Sequence, residues 1–188
     1  MYGRSLEHAV RADFASHLER LMLALLQANR DESDHVDQER AVTDAQRFYE
    51  AGEGMMGTDE DTFNTILVAQ NPAQLRVLMM EYQKLSGRSL IDAIKRETSV
   101  NYRATLMAIV LSTLDRTAYL AERIWNTMEG FGTRENDLIR LIVSRSEIDL
   151  ANIKQEYHRL HRRSMESSIA ADTSRYFEKA LLMIVKGN

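Results

Sequence analysis

Two parts of the sequence pair a short loop with an acidic residue about forty positions further on. In the clearer one, Met128–Thr133, Gly130 and Gly132 let the backbone turn tightly without Cβ clashes. The carbonyl oxygens of Met128, Gly130 and Gly132 can then point at one position. Three neutral oxygens are too few to hold a hard cation, so a carboxylate must complete the set, and Asp172 is the candidate. Calcium accepts such oxygen ligands at roughly 2.3–2.6 Å.

The same arrangement occurs seventy-five residues earlier in the chain. No gap is needed to align the two copies from Gly57 to Val110, which indicates an internal repeat of one structural unit. The aligned pairs include Met55 with Gly130, Gly57 with Gly132, Tyr82 with Tyr157, Glu97 with Asp172 and Ile109 with Ile184. The recurrence favours a metal-binding role over a purely structural loop.

Part of a third copy occupies the N-terminal residues. Gly3–Leu6 aligns with Gly87–Leu90, and Asp13 aligns with Glu97. This copy has no glycine loop, so we expect that the chain begins within a repeat and that Asp13 binds no calcium.

The elements that must position these residues are predicted to be helices, five in each complete repeat. Asn71-Pro72-Ala73-Gln74 is a strong helix start, and Ser89 and Ser164 are predicted N-caps of helices that end at the acids Glu97 and Asp172. An acid suits the start of a helix better than its end, which favours a compensating cation there. We find no alternating pattern typical of strands, so the predicted fold is all-α. The predicted boundaries are a partial repeat at 1–28, a connector at 29–40, and complete repeats at 41–112 and 117–188.

Composition narrows the possible functions of this 188-residue chain. The formal net charge of -4 argues against non-specific binding to nucleic acid and against unaided binding to an anionic membrane. The chain has no cysteine, which excludes disulfides and fits a reducing compartment. No apolar run is long enough to span a bilayer, and the first residues lack the hydrophobic region of a secretory signal. We find no nucleophile with a matching base, so we predict no enzymatic activity.

Two large apolar residues, Met56 and Phe131, align in the predicted loops. They could fold back onto the core. Because each stands beside a proposed ion in a loop that should face water, the more specific hypothesis is that both enter a membrane interface.

These motifs resemble those of the annexin family, and the resemblance covers the whole chain. The last repeat is the most similar, followed by the loop of the repeat before it. The residues that carry the resemblance are Gly132-Thr133, Leu138-Ile139-Arg140, Val143–Leu150 and Asp172-Thr173-Ser174, together with Ala51-Gly52-Glu53 and Gly57–Glu60.

The resemblance implies annexin-like repeats and calcium-dependent binding to acidic phospholipids, peripherally at the cytoplasmic face of membranes. The residues implied as calcium ligands are Met128, Gly130, Gly132 and Asp172 in the last repeat, and Gly52, Met55, Gly57 and Glu97 in the repeat before it. Whether Gly52 or Glu53 supplies the first carbonyl of the earlier site is left open.

The sequence departs from the annexin pattern at several positions. Val100 and Arg175 stand where annexins have a glycine after Thr-Ser, and Glu129 replaces a basic residue. A helical protein–protein interaction module without calcium dependence is the alternative function. We also expect an exposed apolar patch, and hence self-association or marginal stability, from the apolar face formed by Leu18, Leu21, Met22, Leu25 and Leu26.

Overall fold

The computed structural model describes residues 3–187, and this part of the chain contains twelve α-helices and no strand. The predicted all-α fold is confirmed. The helices are α1 (Leu6–Asp13), α2 (Ser16–Leu26), α3 (Gln38–Ala51), α4 (Glu60–Ala69), α5 (Pro72–Ser86), α6 (Leu90–Glu97), α7 (Val100–Leu114), α8 (Arg116–Met128), α9 (Glu135–Arg145), α10 (Leu150–His161), α11 (Met165–Asp172) and α12 (Arg175–Lys186).

The chain divides into two compact units, Met1–Leu114 and Asp115–Asn188. The first contains α1 to α7 and the second α8 to α12. Helices α3 to α7 and α8 to α12 follow the same five-helix plan, and α1 and α2 correspond to α6 and α7. Helix α3 begins at Gln38, so it takes in the last residues of the predicted 29–40 connector.

Aromatic rings fill the centre of the first unit. Phe48 of α3 stacks on Phe63 of α4 with ring centroids 3.8 Å apart, and Tyr82 meets Phe48 edge-on at 5.8 Å. Leu21 of α2 is fully buried in the same core. The apolar face of α2 is therefore packed rather than open, and none of the five residues expected to form a patch there is exposed.

The core of the second unit is mainly aliphatic. Its centre is formed by fully buried side chains from α8 to α11, namely Ile124, Leu138, Ile142, Leu150, Ile153, Tyr157 and Ile169. At its edge Trp125 stacks on His161, with ring centroids 4.2 Å apart and planes 5° from parallel. The side chain of His161 is only 11% exposed, because the indole covers it.

Local capping signals set most helix starts as predicted. The Asn71 side chain accepts from the backbone N–H of Gln74 at 2.7 Å, and Ser89 and Ser164 cap α6 and α11. Thr58 and Ser146 are also N-cap residues by type, but Asp59 caps α4 and Asp149 precedes α10.

Among the helices described, none has both the length and the apolar composition needed to cross a bilayer. The longest, α5 and α7, have 15 residues each.

Candidate metal-binding loops

Each candidate loop joins the first two helices of a repeat and meets the end of the fourth. The α3–α4 loop lies against Glu97, the last residue of α6, and the α8–α9 loop lies against Asp172, the last residue of α11. The prediction that both acids end helices is confirmed. A carboxylate at that end lies next to the partial negative charge of the helix, an unfavourable position unless a cation is present.

In the α3–α4 loop a hydroxyl ties the loop to the acid-bearing helix. Thr58 Oγ1 donates to the backbone carbonyl of Glu97 at 2.7 Å. The N–H of Asp59 donates to the carbonyl of Ala51 at 2.7 Å, which closes the base of the loop. Gly57 has φ +94°, a left-handed conformation that a side chain would strain. The loop thus returns the chain to α4 beside Glu97.

Gly52 packs directly against the acid. A Cβ atom at this position would lie 3.1 Å from Cζ of Phe63 and 3.4 Å from Cγ of Glu97. A side chain at this position would therefore press against the Phe63 ring, which would have to shift slightly. The Gly52 backbone is therefore next to the Glu97 side chain.

The neighbouring Glu53 is turned inward. Its carboxylate lies 3.4 Å from the Arg88 guanidinium, and its side chain is 11% exposed. Burial, together with the negative charges of Glu53 and Glu97, raises the pKa of Tyr82 to about 12. Both carboxylates therefore act on the same buried phenol.

The α8–α9 loop holds its acid more closely. Gly130 and Gly132 have φ of +96° and +82°, as their predicted role in a tight loop requires. Thr133 Oγ1 lies 2.8 Å from the backbone carbonyl of Asp172 and 2.6 Å from its Oδ2. The single hydroxyl hydrogen is thus offered to the backbone and to the carboxylate of the same residue.

Trp125 holds the side chain of Glu129, the residue between the proposed ligands Met128 and Gly130. Its Nε1–H donates to Glu129 Oε2 at 2.8 Å. Trp125 also lines, with Met128, Tyr157 and Asp172, a small cavity behind the loop. The i,i+4 spacing of Trp125 and Glu129 places the two side chains on one helical face, so this contact could have been predicted from the sequence.

The loop carbonyls are available as ligands. Within residues 3–187, the backbone oxygens of Met55, Gly57, Met128, Gly130 and Gly132 accept no hydrogen bond. In the same range no group of three or more His, Cys, Asp or Glu side chains could hold a metal ion, so a cation would depend on backbone oxygens. Several neutral oxygens with one nearby carboxylate fit calcium, which accepts backbone carbonyls readily.

Gly52 is the ligand candidate whose carbonyl is already in use. Its oxygen accepts from the N–H of Met55 at 3.1 Å, which leaves one lone pair for a cation.

The two apolar loop residues point away from the protein. Met56 is 101% exposed and Phe131 is 109% exposed, so neither folds back onto the core. By contrast, the side chain of Met128 is buried and that of Met55 is half exposed.

Comparisons with known proteins agree with the repeat structure. A family model described as Annexin matches residues 43–109 and 119–184. Annexin A7 of Macaca fascicularis is 42% identical over 184 residues, which are 98% of this chain and 38% of that protein.

Solved structures give the same result. One titled annexin III superposes with a TM-score of 0.96 at 39% identity, over all of this chain and 58% of that one. A calcium-bound annexin (Sm)1 superposes with a TM-score of 0.86 at 28% identity, over 98% of this chain and 54% of that one. This chain thus spans only part of the relatives it matches, and it belongs to the annexin family.

Proposed function

We propose that this chain binds calcium in the α3–α4 and α8–α9 loops and attaches through it to acidic phospholipid surfaces. Calcium-dependent phospholipid binding is a general property of annexins, and one of the similar structures is calcium-bound. The observation that carries the proposal is the repeated meeting of a loop rich in unpaired carbonyl oxygens with an acid at the end of a helix.

The proposed ligands follow from that geometry. In the α3–α4 loop they are Gly52, Met55, Gly57 and Glu97, and in the α8–α9 loop they are Met128, Gly130, Gly132 and Asp172. The contact between Gly52 and the Glu97 side chain favours Gly52 over Glu53 as the first carbonyl of the earlier site. Glu53 is engaged with Arg88 instead.

Calcium supplies the positive charge that an acidic protein needs to meet an acidic surface. The chain carries a formal net charge of -4, so direct attraction to anionic lipid is unfavourable. Each loop offers one carboxylate and a few neutral oxygens, a set that leaves room for lipid phosphate oxygens. We therefore expect weak affinity without lipid, on the order of 10⁻⁴–10⁻³ M. Lipid raises the affinity for calcium by the same factor by which calcium raises the affinity for lipid.

Met56 and Phe131 add an apolar contribution to membrane binding. Both side chains are fully exposed at the tips of the proposed calcium loops. Entry of each into the interfacial region would contribute roughly 1–3 kcal/mol, less where insertion is shallow.

This function is that of a peripheral protein at the inner face of cellular membranes, where acidic lipids are concentrated. Attachment would depend on calcium and reverse on its removal. We propose no catalysed reaction.

Sedimentation with vesicles of phosphatidylserine and phosphatidylcholine tests the proposal. The parent chain should sediment with vesicles in calcium and remain in solution in chelator. Glu97→Gln combined with Asp172→Asn should abolish the calcium-dependent fraction. Asp13→Asn is the matched control, because Asp13 ends α1 as the aligned acid of a copy without a glycine loop.

Two results would overturn the proposal. One is the absence of vesicle binding at any calcium concentration, which would favour the protein–protein interaction module. The other is equal binding by the parent and the double variant.

A further inference from the structure

The methionine side chains differ widely in exposure. Among residues 3–187, Met56 is the most exposed methionine, at 101%, followed by Met183 at 77%. At the other extreme, Met128 and Met165 are only 9% and 1% exposed. Because an oxidant must reach the sulfur atom to react with it, Met56 carries the most readily oxidised thioether among these residues.

The α3–α4 loop holds the Met56 side chain away from the protein. The Thr58 hydroxyl, bonded to the carbonyl of Glu97 at 2.7 Å, anchors the loop two residues after the tip. Beside Met56, a Cβ atom added to Gly57 would meet no atom within 4 Å apart from its chain neighbours. The tip is therefore anchored yet surrounded by open space, so an oxidant reaches Met56 without any unfolding.

The aligned loop carries a tip residue of different chemistry. Phe131 occupies the position of Met56 under the seventy-five-residue shift and is 109% exposed. Its phenyl ring has no sulfur lone pair to attack a peroxide, and the sulfur of Met128, at the end of α8, is buried. The chain also has no cysteine, the other side chain that peroxides oxidise readily. Of the two loop tips, only the one at Met56 can thus change its polarity on oxidation.

We propose that Met56 is a redox-sensitive modification site, at which hydrogen peroxide converts the thioether to the sulfoxide and weakens membrane attachment through the α3–α4 loop. The sulfur donates an electron pair to one peroxide oxygen, an S–O bond forms and the O–O bond breaks. The second oxygen leaves with both hydrogens as water, so the sulfur is oxidised by two electrons and the peroxide is reduced by two. The effect on attachment rests on the membrane-binding function proposed above.

Oxidation changes the membrane contact and spares the proposed ion site. A sulfoxide is polar and accepts hydrogen bonds, so its transfer from water into the lipid interface is less favourable than that of a thioether. The proposed ligands of this loop are backbone carbonyls and the Glu97 carboxylate, none of which gains or loses an atom. Vesicle affinity therefore falls while calcium affinity without lipid is unchanged. Because the sulfoxide lies at an exposed tip, reductases can reach it and reverse the change.

Peptide mass spectrometry after brief treatment with hydrogen peroxide, in chelator and without vesicles, tests the site itself. Met56 should gain one oxygen atom before Met183 and before Met80, which is 54% exposed. Met165 should stay unmodified. The thermal midpoint should remain at its untreated value, because the oxidant does not reach the buried methionines.

Sedimentation with vesicles of phosphatidylserine and phosphatidylcholine at fixed calcium, after removal of the peroxide, tests the consequence. The oxidised parent should bind about tenfold more weakly than the untreated parent, because the tip loses its apolar contribution. Methionine sulfoxide reductases A and B, which act on the two sulfoxide epimers, should restore binding. Calorimetry without lipid should give the same calcium affinity before and after oxidation.

Variants assign the response to Met56, each compared with its own untreated sample. Met56→Leu should lose the response to peroxide, because leucine is apolar but has no sulfur. Met183→Leu is the matched control, since Met183 is exposed on α12 outside the proposed loops, and it should respond as the parent does. Adding Phe131→Met to Met56→Leu should restore a response, now from the α8–α9 loop.

Three outcomes would overturn this inference while the proposed function stands. They are a parent that binds vesicles equally well once Met56 is oxidised, a Met56→Leu variant that still loses binding in peroxide, and oxidation of another methionine ahead of Met56. A parent that sediments with no vesicles at any calcium concentration would overturn both proposals.

Discussion

The α3–α4 and α8–α9 loops share a repeat plan but hold their acids differently. Thr133 reaches both the backbone carbonyl and the carboxylate of Asp172, whereas Thr58 reaches only the backbone carbonyl of Glu97. Among residues 3–187, nothing forms a hydrogen bond or an ion pair with the Glu97 carboxylate. The shared backbone plan therefore sets where each acid lies, and one side-chain hydrogen bond sets how readily it can turn to a cation.

The second acidic side chain near each loop also differs. In the α3–α4 loop Glu53 is turned inward toward Arg88. In the α8–α9 loop the second acid is Glu129, which aligns with Gly54 rather than with Glu53. Its carboxylate accepts a hydrogen bond from the indole N–H of Trp125. Only the second loop thus has a fluorescent side chain bonded to a residue that lies between two proposed ligands.

These differences predict unequal calcium affinities. Bidentate binding by Asp172 must displace the Thr133 hydroxyl, at a net cost of about 1–2 kcal/mol, whereas Glu97 has no such bond to break. We therefore expect the α3–α4 loop to fill first, at several-fold lower calcium.

The largest predicted effect is the loss of one site in each single acid variant. Glu97→Gln should remove the tighter site and Asp172→Asn the weaker one, each lowering affinity at its own loop by tenfold or more, since the only carboxylate ligand becomes neutral. Calorimetric titration without lipid measures this. Calcium-dependent change in Trp125 emission should persist in Glu97→Gln and vanish in Asp172→Asn.

Either of two results would contradict the proposal of one calcium site in each loop. One is an unchanged isotherm in both acid variants, and the other is a Trp125 response that survives Asp172→Asn. Asp13→Asn should match the parent in every titration.

The next effect concerns the apolar tips. Met56→Ser and Phe131→Ser should each weaken vesicle binding at fixed calcium, by roughly 1–3 kcal/mol or less where insertion is shallow, because both side chains are fully exposed and free to enter the interface. Calcium affinity without lipid and the thermal midpoint should stay at parent values, since neither residue contributes to the core.

Val42→Ser provides the control for the tips, because it removes an exposed apolar residue, 50% accessible, near the start of α3 and away from the loop. Vesicle binding that falls as much in this variant as in the tip variants would show that surface apolarity, not loop position, matters.

The smallest predicted effect separates the two threonines. Thr133→Val removes the bond to the Asp172 carboxylate, so calcium affinity at the α8–α9 loop should rise a few-fold. Thr58→Val removes only a bond to a backbone carbonyl, so it should lower stability by about 1 kcal/mol without raising affinity. Calorimetry with thermal unfolding measures both. Equal changes in calcium affinity at the two loops would contradict the proposed difference.

Much of the fold could be predicted from the sequence because the signals are local. The helix starts at Asn71, Ser89 and Ser164 depend on side chains that bond to N–H groups within the next turn. The ends of α6 and α11 at the two acids followed from the spacing of those caps and the repeat. The glycine loops followed from residue type, since Gly57, Gly130 and Gly132 all adopt left-handed backbone conformations.

Where local signals compete with partners distant in the chain, the sequence alone did not predict which side chains would bond. Thr58 is a good N-cap by type, yet its hydroxyl is taken by the carbonyl of Glu97, thirty-nine positions away, and Asp59 caps α4 instead. Trp125 has the residue type of a core side chain, but it is placed at the edge by the His161 ring and by Glu129.

The sequence by itself determined the helices, the repeat and the position of each acid, because all three depend on short-range capping and on an alignment within the chain. Only the tertiary structure decided which carboxylate is already bonded and which apolar residues are left open. Thr133 and Asp172, or α2 and the face it covers, come together only when helices distant in sequence pack. Side-chain hydrogen bonds and burial at such contacts depend on packing that residue spacing does not encode.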